Sequence, residues 1–197
     1  MFTGIIETTG KIVSVEKEKN NLHFTVQSAI SSGLKIDQSV AHDGVCLTVT
    51  STDPAKNLHR VTAIRETLEK TSLASWKPEH IINLERCMPV NGRLDGHIVQ
   101  GHADQTGLCI EKEDKGGSWL FTFQHEEKGN ITVEKGSICV NGVSLTVINS
   151  QKDRFSVAVI PYTLEHTGFK SLQKGDEVNL EFDIIGKYIA RLMEKYT

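Results

Sequence analysis

The chain has little of several things that would fix its class at once. No apolar run approaches the length of a transmembrane helix, and the opening MFTGIIETTG has neither the basic start nor the continuous apolar stretch of an export signal. A cytoplasmic protein away from the membrane is the expectation. Cysteine is scarce: Cys46, Cys87, Cys109 and Cys139 are scattered without a C-x-x-C pair, so zinc and redox motifs find no support. Free thiols, buried or facing a ligand, are expected instead. Neither sign of charge prevails, with 22 basic and 25 acidic side chains and a net charge of −3. Lys17 and Lys19 alternate with Glu16 and Glu18 in the manner of a solvated face, and nucleic acid is not an expected partner. His97 and His102 lie close in sequence but lack a third ligand at usable spacing, which argues against a metal.

What the chain does have is itself, twice. DGVCLTVT at 43–50 returns as NGVSLTVI at 141–148, GIIETTGKI at 4–12 as GHADQTGLC at 101–109, ETLEKT at 66–71 as YTLEHT at 162–167, and INLE at 82–85 as VNLE at 178–181. The four matches keep their order at offsets of 96 to 98 residues. At 197 residues the chain is long enough for two small domains, each with its own core. Each copy carries short runs of alternating apolar and polar residues, among them LHFTV, SWLFTF, ITV and FSVAV, with Gly, Asn and Asp at the turns. An all-β fold follows, and two similar antiparallel barrels are expected because closure removes exposed strand edges. The boundaries are set at 1–96 and 97–184.

Residues 185–197 differ. Ile185, Tyr188, Ile189, Leu192, Met193 and Tyr196 recur at helical spacing, with Lys187, Arg191, Glu194 and Lys195 between them. An amphipathic helix is predicted, which either packs on its own barrel or joins copies of the chain.

Side chains alternate across a strand, so Val45, Leu47 and Val49 share one face and Cys46, Thr48 and Thr50 the other. Val143, Leu145 and Val147 oppose Ser144 and Thr146 in the second copy. The apolar trios read as barrel core. The polar faces can either take a flat heterocycle or simply meet solvent.

Five blocks carry a resemblance: MFTGIIE at the start, SVAHDGVCLTV at 39–49, GHIVQGHAD at 96–104, NGVSLTV at 141–147 and IPYTLEHT at 160–167. Together they resemble the riboflavin synthase family, over essentially the whole chain. The resemblance implies two six-stranded Greek-key barrels, each binding one 6,7-dimethyl-8-ribityllumazine, and a C-terminal helix joining a homotrimer. It implies a transferase that moves a four-carbon unit between two identical lumazines, giving riboflavin and 5-amino-6-ribitylaminouracil without cofactor. Catalysis would lie between the N-terminal barrel of one subunit and the C-terminal barrel of a neighbour. Association with lumazine synthase is a further implied partnership.

By the same resemblance one pocket uses Gly4, Ile5, Ile6, Cys46, Leu47, Thr48 and the segment Thr62, Ala63, Ile64, Arg65, Glu66 and Thr67. The other uses Gly101, His102, Ala103, Lys135, Ser144, Leu145, Thr146 and the segment Ile160, Pro161, Tyr162, Thr163, Leu164 and Glu165. The donor must lose a 7-methyl proton, and His102 is the candidate base with Thr146 as partner; the alternative for His102 is a structural turn. The acceptor must be activated at ring carbon 7 by water or a side chain, and Cys46 and Ser39 are the candidates. Cys46 reads equally well as a small packing residue. Phe2, Thr3, His97 and Asp183 are supporting positions. Two other readings stay open: an accessory protein that binds lumazine or flavin without turnover, in which one repeat would have drifted, and a flavin-reductase-like barrel, which no nicotinamide-binding segment follows.

Overall fold

The computed structural model describes residues 1–194. Twelve strands form two closed antiparallel barrels of six. The first comprises β1 (Thr8–Glu18), β2 (Asn21–Gln27), β3 (Ser39–His42), β4 (Val45–Asp53), β5 (Leu58–Ala63) and β6 (Ile81–Arg86). The second comprises β7 (Gln105–Asp114), β8 (Trp119–His125), β9 (Ser137–Val140), β10 (Val143–Ile148), β11 (Arg154–Val159) and β12 (Glu177–Phe182). Around the first barrel the order is β1-β2-β5-β4-β3-β6, and around the second it is the same Greek-key order, β7-β8-β11-β10-β9-β12. One irregularity repeats as well: the ladder slips between Ile12 and Ser14 in β1 and between Cys109 and Glu111 in β7.

Alternation along the strands builds the cores. Val45, Leu47 and Val49 are buried with Phe24, Val26, Val61, Leu84 and Trp76 in one barrel. Val143 and Val147 are buried with Phe121, Phe123, Phe155 and Phe169 in the other. Each such phenylalanine contributes about 1.5–3 kcal/mol by leaving water. Each barrel also carries one short helix after its fifth strand, α1 (Arg65–Lys70) and α2 (Pro161–His166).

Two expectations change. Ile131–Val133 is not a strand: each barrel is already closed by six strands, and Ile131 and Val133 stay exposed. The terminal helix, α3, spans Ile184–Met193 and starts one residue earlier than predicted because the Asp183 carboxylate caps it, accepting from the Ile185 N–H at 3.0 Å. Ile185, Tyr188, Ile189, Leu192 and Met193 are all exposed on it. Lys195 and Tyr196 lie outside the described residues. No helix among the described residues is long and apolar enough to cross a membrane.

The barrels meet through their repeated hairpins. Asp43–Gly44 and Asn141–Gly142 have positive φ at both positions, as tight two-residue hairpins require. The turns lie back to back, so close that a Cβ on Gly44 would sit 2.7 Å from the Gly142 nitrogen. Asn83 and Asn179, equivalent in the repeat, lock the junction reciprocally. Asn83 Nδ2 donates to the Asn141 carbonyl at 2.8 Å, and Asn179 Nδ2 to the Asp43 carbonyl at 3.0 Å.

Candidate functional site

Two straps, residues 2–6 and 99–103, precede the barrels and pair with each other. Phe2 and Val99 exchange backbone hydrogen bonds at 2.7 and 3.2 Å. Each strap is anchored on its own barrel by a buried glutamate from the last strand. Glu85 accepts from the Thr3 N–H and hydroxyl, both at 2.7 Å, and from the Gly4 N–H at 3.0 Å. Glu181 accepts from the N–H groups of Gln100, Gly101 and His102 at 2.6, 2.9 and 2.8 Å.

Beyond its anchor each strap crosses to the other barrel. The Gly4 carbonyl accepts from the Ser144 N–H at 2.8 Å, and the Gly101 carbonyl from the Cys46 N–H at 2.8 Å. Both glycines have positive φ, and a Cβ on either would lie 2.6 Å from the Cβ of its partner. Only glycine fits there. Ile6 accordingly packs on the core of the second barrel and Ala103 on that of the first.

The expected residue sets are therefore redistributed. Gly4, Ile5 and Ile6 do not join Cys46, Leu47 and Thr48, and Gly101, His102 and Ala103 do not join Ser144, Leu145 and Thr146; each glycine motif completes the opposite pocket. The reason is the closed ladder. The polar face of β4 or β10 lies outside its own barrel, where the chain from the other repeat reaches it. A cavity of about 230 Å³ on the first barrel is lined by Cys46, Glu66, Thr67, Gly101, His102 and Ala103, together with Val45, Lys70 and Thr71. A larger cavity of about 550 Å³, lined by Gln105, Thr106, His125 and Glu177 among others, contains none of the expected residues. The smaller one is the candidate site because the polar strand of the first barrel and the strap of residues 99–103 meet there, and the strap of residues 2–6 reaches the equivalent strand of the second barrel at Ser144.

Comparison with known proteins bears on the tandem organisation and the family. A family model described as "Lumazine binding domain" matches residues 3–87 and again 100–183. The riboflavin synthases of Actinobacillus pleuropneumoniae and Bacillus subtilis (strain 168) are each 40% identical to the chain, covering 99% of it and 91% of their own length. The chain belongs to the riboflavin synthase family. Beyond it, solved structures of LumP complexed with riboflavin and with 6,7-dimethyl-8-(1'-D-ribityl) lumazine share the fold, at TM-scores of 0.84 and 0.83. Their identities are 19% and 17%, with 92% of this chain and 99% and 98% of theirs covered.

Within this riboflavin synthase fold the two pockets differ where bonds could form. On the second barrel, His97 Nδ1 lies 2.6 Å from the Ser144 hydroxyl. Burial holds the imidazole below its ordinary pKa, with the nearby Asp183 carboxylate opposing, so at neutral pH the ring is uncharged and can accept the serine proton. On the first barrel Cys46 takes the place of Ser144, and burial pushes its thiol up despite a hydrogen bond from Ser39. That thiol is protonated at neutral pH. Ser39 stands opposite Thr48 in the β3–β4 ladder, two residue pairs from Cys46 and on the same face of the sheet. The straps bring Ile6 against the second barrel and His102 and Ala103 to the cavity on the first, while Ile5 is exposed beside Glu7, Gln38 and Arg86 of the first barrel. Asp37 and Lys135, equivalent positions with positive φ whose N–H groups bond Val49 and Val147, reverse the charge between the copies.

The other expected residues fall into two groups. Leu47, Ala63 and Leu164 turn their side chains into the cores, where only their backbones can face a ligand. Thr62 binds His23 Nδ1 at 2.8 Å, and Ile64, Arg65, Glu66, Ile160, Pro161, Tyr162 and Glu165 are exposed around the short helices, with Thr67 and Thr163 half-buried. Leu145 is half-buried against the second core and Thr146 exposed. His102 and Thr146, paired in the expected chemistry, are apart in the chain: His102 lines the cavity on the first barrel and Thr146 stands on β10 of the second. Sequence reasoning missed the anchors Glu85 and Glu181 although both stand in the repeated INLE and VNLE.

Proposed function

We propose that the chain is a riboflavin synthase that dismutates two molecules of 6,7-dimethyl-8-ribityllumazine to riboflavin and 5-amino-6-(D-ribitylamino)uracil, the last step of riboflavin biosynthesis. One observation carries the reading: both copies keep a strand with a small polar group and a threonine, and each is completed by a glycine strap from the other copy. A reaction between two like molecules needs two like pockets, and an accessory pigment carrier needs only one. The two products contain every atom of the two substrates, so the net reaction requires no oxidant, reductant or added group.

In this reading the first pocket comprises the Cys46, Thr48, Glu66 and Thr67 region with Gly101 to Ala103, and the second the Ser144, Thr146, Lys135 and Tyr162 region with Gly4 to Ile6. The division of the chain into 1–96, 97–184 and 185–197 is retained, with the straps exchanged across it. The His97–Ser144 contact favours activation of the acceptor at ring carbon 7 on the second barrel, by the serine oxygen or by a water it polarises. His102, which lines the same cavity as Cys46, is the candidate base for the 7-methyl proton of the donor on the first barrel. Orientation of two bound rings in reacting geometry supplies a large share of the acceleration. The reading includes a homotrimer joined through the exposed apolar side of α3, so that pockets of neighbouring subunits face each other, in the cytoplasm and open to association with lumazine synthase.

Purified protein incubated with the lumazine alone should form riboflavin, followed by its absorbance. Binding without conversion would assign the chain to pigment carriage instead.

A further inference from the structure

The repeated NLE of β6 and β12 is larger than the pockets require. Asn83 and Asn179 lock the junction, and Leu84 and Leu180 fill the cores. The third residue of each triplet remains. Glu85 and Glu181 are 4% and 3% exposed, yet neither forms an ion pair among the described residues. Each instead gathers three donors from a single strap. Successive N–H groups around a left-handed glycine converge on one carboxylate, the geometry of an anion nest turned inward to hold the chain's own side chain.

We infer that Glu85 and Glu181 are positioning residues acting across the barrel boundary: Glu85 sets the strap that completes the Ser144 pocket on the second barrel, and Glu181 the strap that completes the Cys46 pocket on the first. The inference rests on the reading that these two strands are the lumazine sites. The distances leave little slack. Glu85 holds Gly4, whose carbonyl is 2.8 Å from the Ser144 nitrogen, and Glu181 holds Gly101 and the N–H of His102, with the Gly101 carbonyl 2.8 Å from the Cys46 nitrogen. Burial raises both carboxyls while the strap donors pull them back down, so each donor set acts on the charged form of its glutamate. A glutamine in either place presents an NH2 to an N–H and forfeits at least one acceptor. The strap then moves, and the pocket that loosens belongs to the other barrel.

The test uses the full chain and equilibrium titration with riboflavin, the product, followed by its fluorescence quenching. Cys46→Ala and Ser144→Ala first mark the two sites, each weakening one of the two. Glu181→Gln should weaken the site marked by Cys46→Ala by about tenfold or more and leave the other within about twofold. Glu85→Gln should do the same at the site marked by Ser144→Ala. Thr3→Val, which removes one donor to Glu85 and leaves the buried carboxylate in place, should weaken that same site more mildly and serves if Glu85→Gln misfolds. Weakening of the site on the glutamate's own barrel, equal weakening of both, or no change would overturn the inference. If neither marking substitution affects binding, the pocket assignment fails instead.

Discussion

Replacing His42 by valine and His59 by phenylalanine, the residues that the second repeat carries as Val140 and Phe155, should reverse how the stability of the first barrel responds to acid. The pair forms a buried chain of fixed polarity. Val40 offers only a carbonyl, so His42 Nδ1 donates to it at 3.0 Å and its Nε2 must accept, from His59 Nε2 at 2.9 Å; His59 Nδ1 then accepts from the Ser31 hydroxyl at 2.7 Å. Both rings are neutral: a proton on His42 Nε2 would set N–H against N–H, and one on His59 Nδ1 would force the Ser31 hydroxyl to turn from donor to acceptor. Burial, with mutual repulsion added at His42, lowers His42 to about 3 and His59 to about 4 from 6.5. Between pH 4 and 6.5 the unfolded chain therefore holds two protons that the folded chain does not, and stability falls as pH falls. Asp43, next in sequence, acts the other way. Burial raises its carboxyl from 3.8 to about 7, so across the same window the folded chain holds a proton that the unfolded chain lacks.

Each unmatched proton changes stability by about 1.4 kcal/mol per pH unit. The two histidines outweigh the one aspartate, so these three groups together lose about 1.4 kcal/mol per unit of acidification. Without the histidines only Asp43 remains, and the same acidification gains about 1.4 kcal/mol per unit. Asp43→Asn, which copies Asn141, should instead steepen the loss to about 3 kcal/mol per unit. Shifts at Glu85, Glu181, His80 and His97 are common to all three proteins, so differences between their slopes isolate the three groups. The assay is urea unfolding from pH 4.5 to 6, read by Trp76 in a Trp119→Phe background. Trp76 is buried in the first core, its ring centroid 5.2 Å from that of Phe24. Parallel slopes for the original and the double variant would refute the reasoning.

Gly101→Ala should abolish binding at the Cys46 pocket and cost about 1–3 kcal/mol of stability, because the new methyl meets both positive φ and the Cys46 Cβ; titration and thermal unfolding check it, and normal binding would dismiss the strap contact. His97→Ala and Ser144→Ala should each cut turnover by about 100-fold with smaller losses in binding, and the double variant should be no slower than either single one, as shown by single-turnover rates. His102→Ala should slow turnover far more than it weakens binding, and equal losses would return that residue to a structural role. If α3 joins the proposed trimer, a chain ending at Asp183 should scatter light as a monomer while the full chain scatters as a trimer, with both barrels retained by circular dichroism.

The repeat in the sequence determined much of this protein. Period-two alternation fixed which side of β4 and β10 fills a core, since water exclusion acts on each strand locally. Helical spacing fixed α3 because an apolar stripe is a property of one segment. Asp-Gly and Asn-Gly marked the hairpins, whose backbone needs only those two residues. Ile131–Val133 misled because alternation states a capacity for pairing, and no neighbouring strand edge was left to pair with. The division of the site between the barrels depended on something no single segment carries. Gly4 and Cys46 stand in one repeat, and an alignment of the repeats groups them. Closure of each ladder turns the polar strand outward, and the chain that covers it comes from the other half, so which glycine meets which polar group is a matter of contact across the junction. The glutamates holding those crossings were equally out of reach: their role depends on three donors converging from residues some eighty positions away, which only the folded chain brings together.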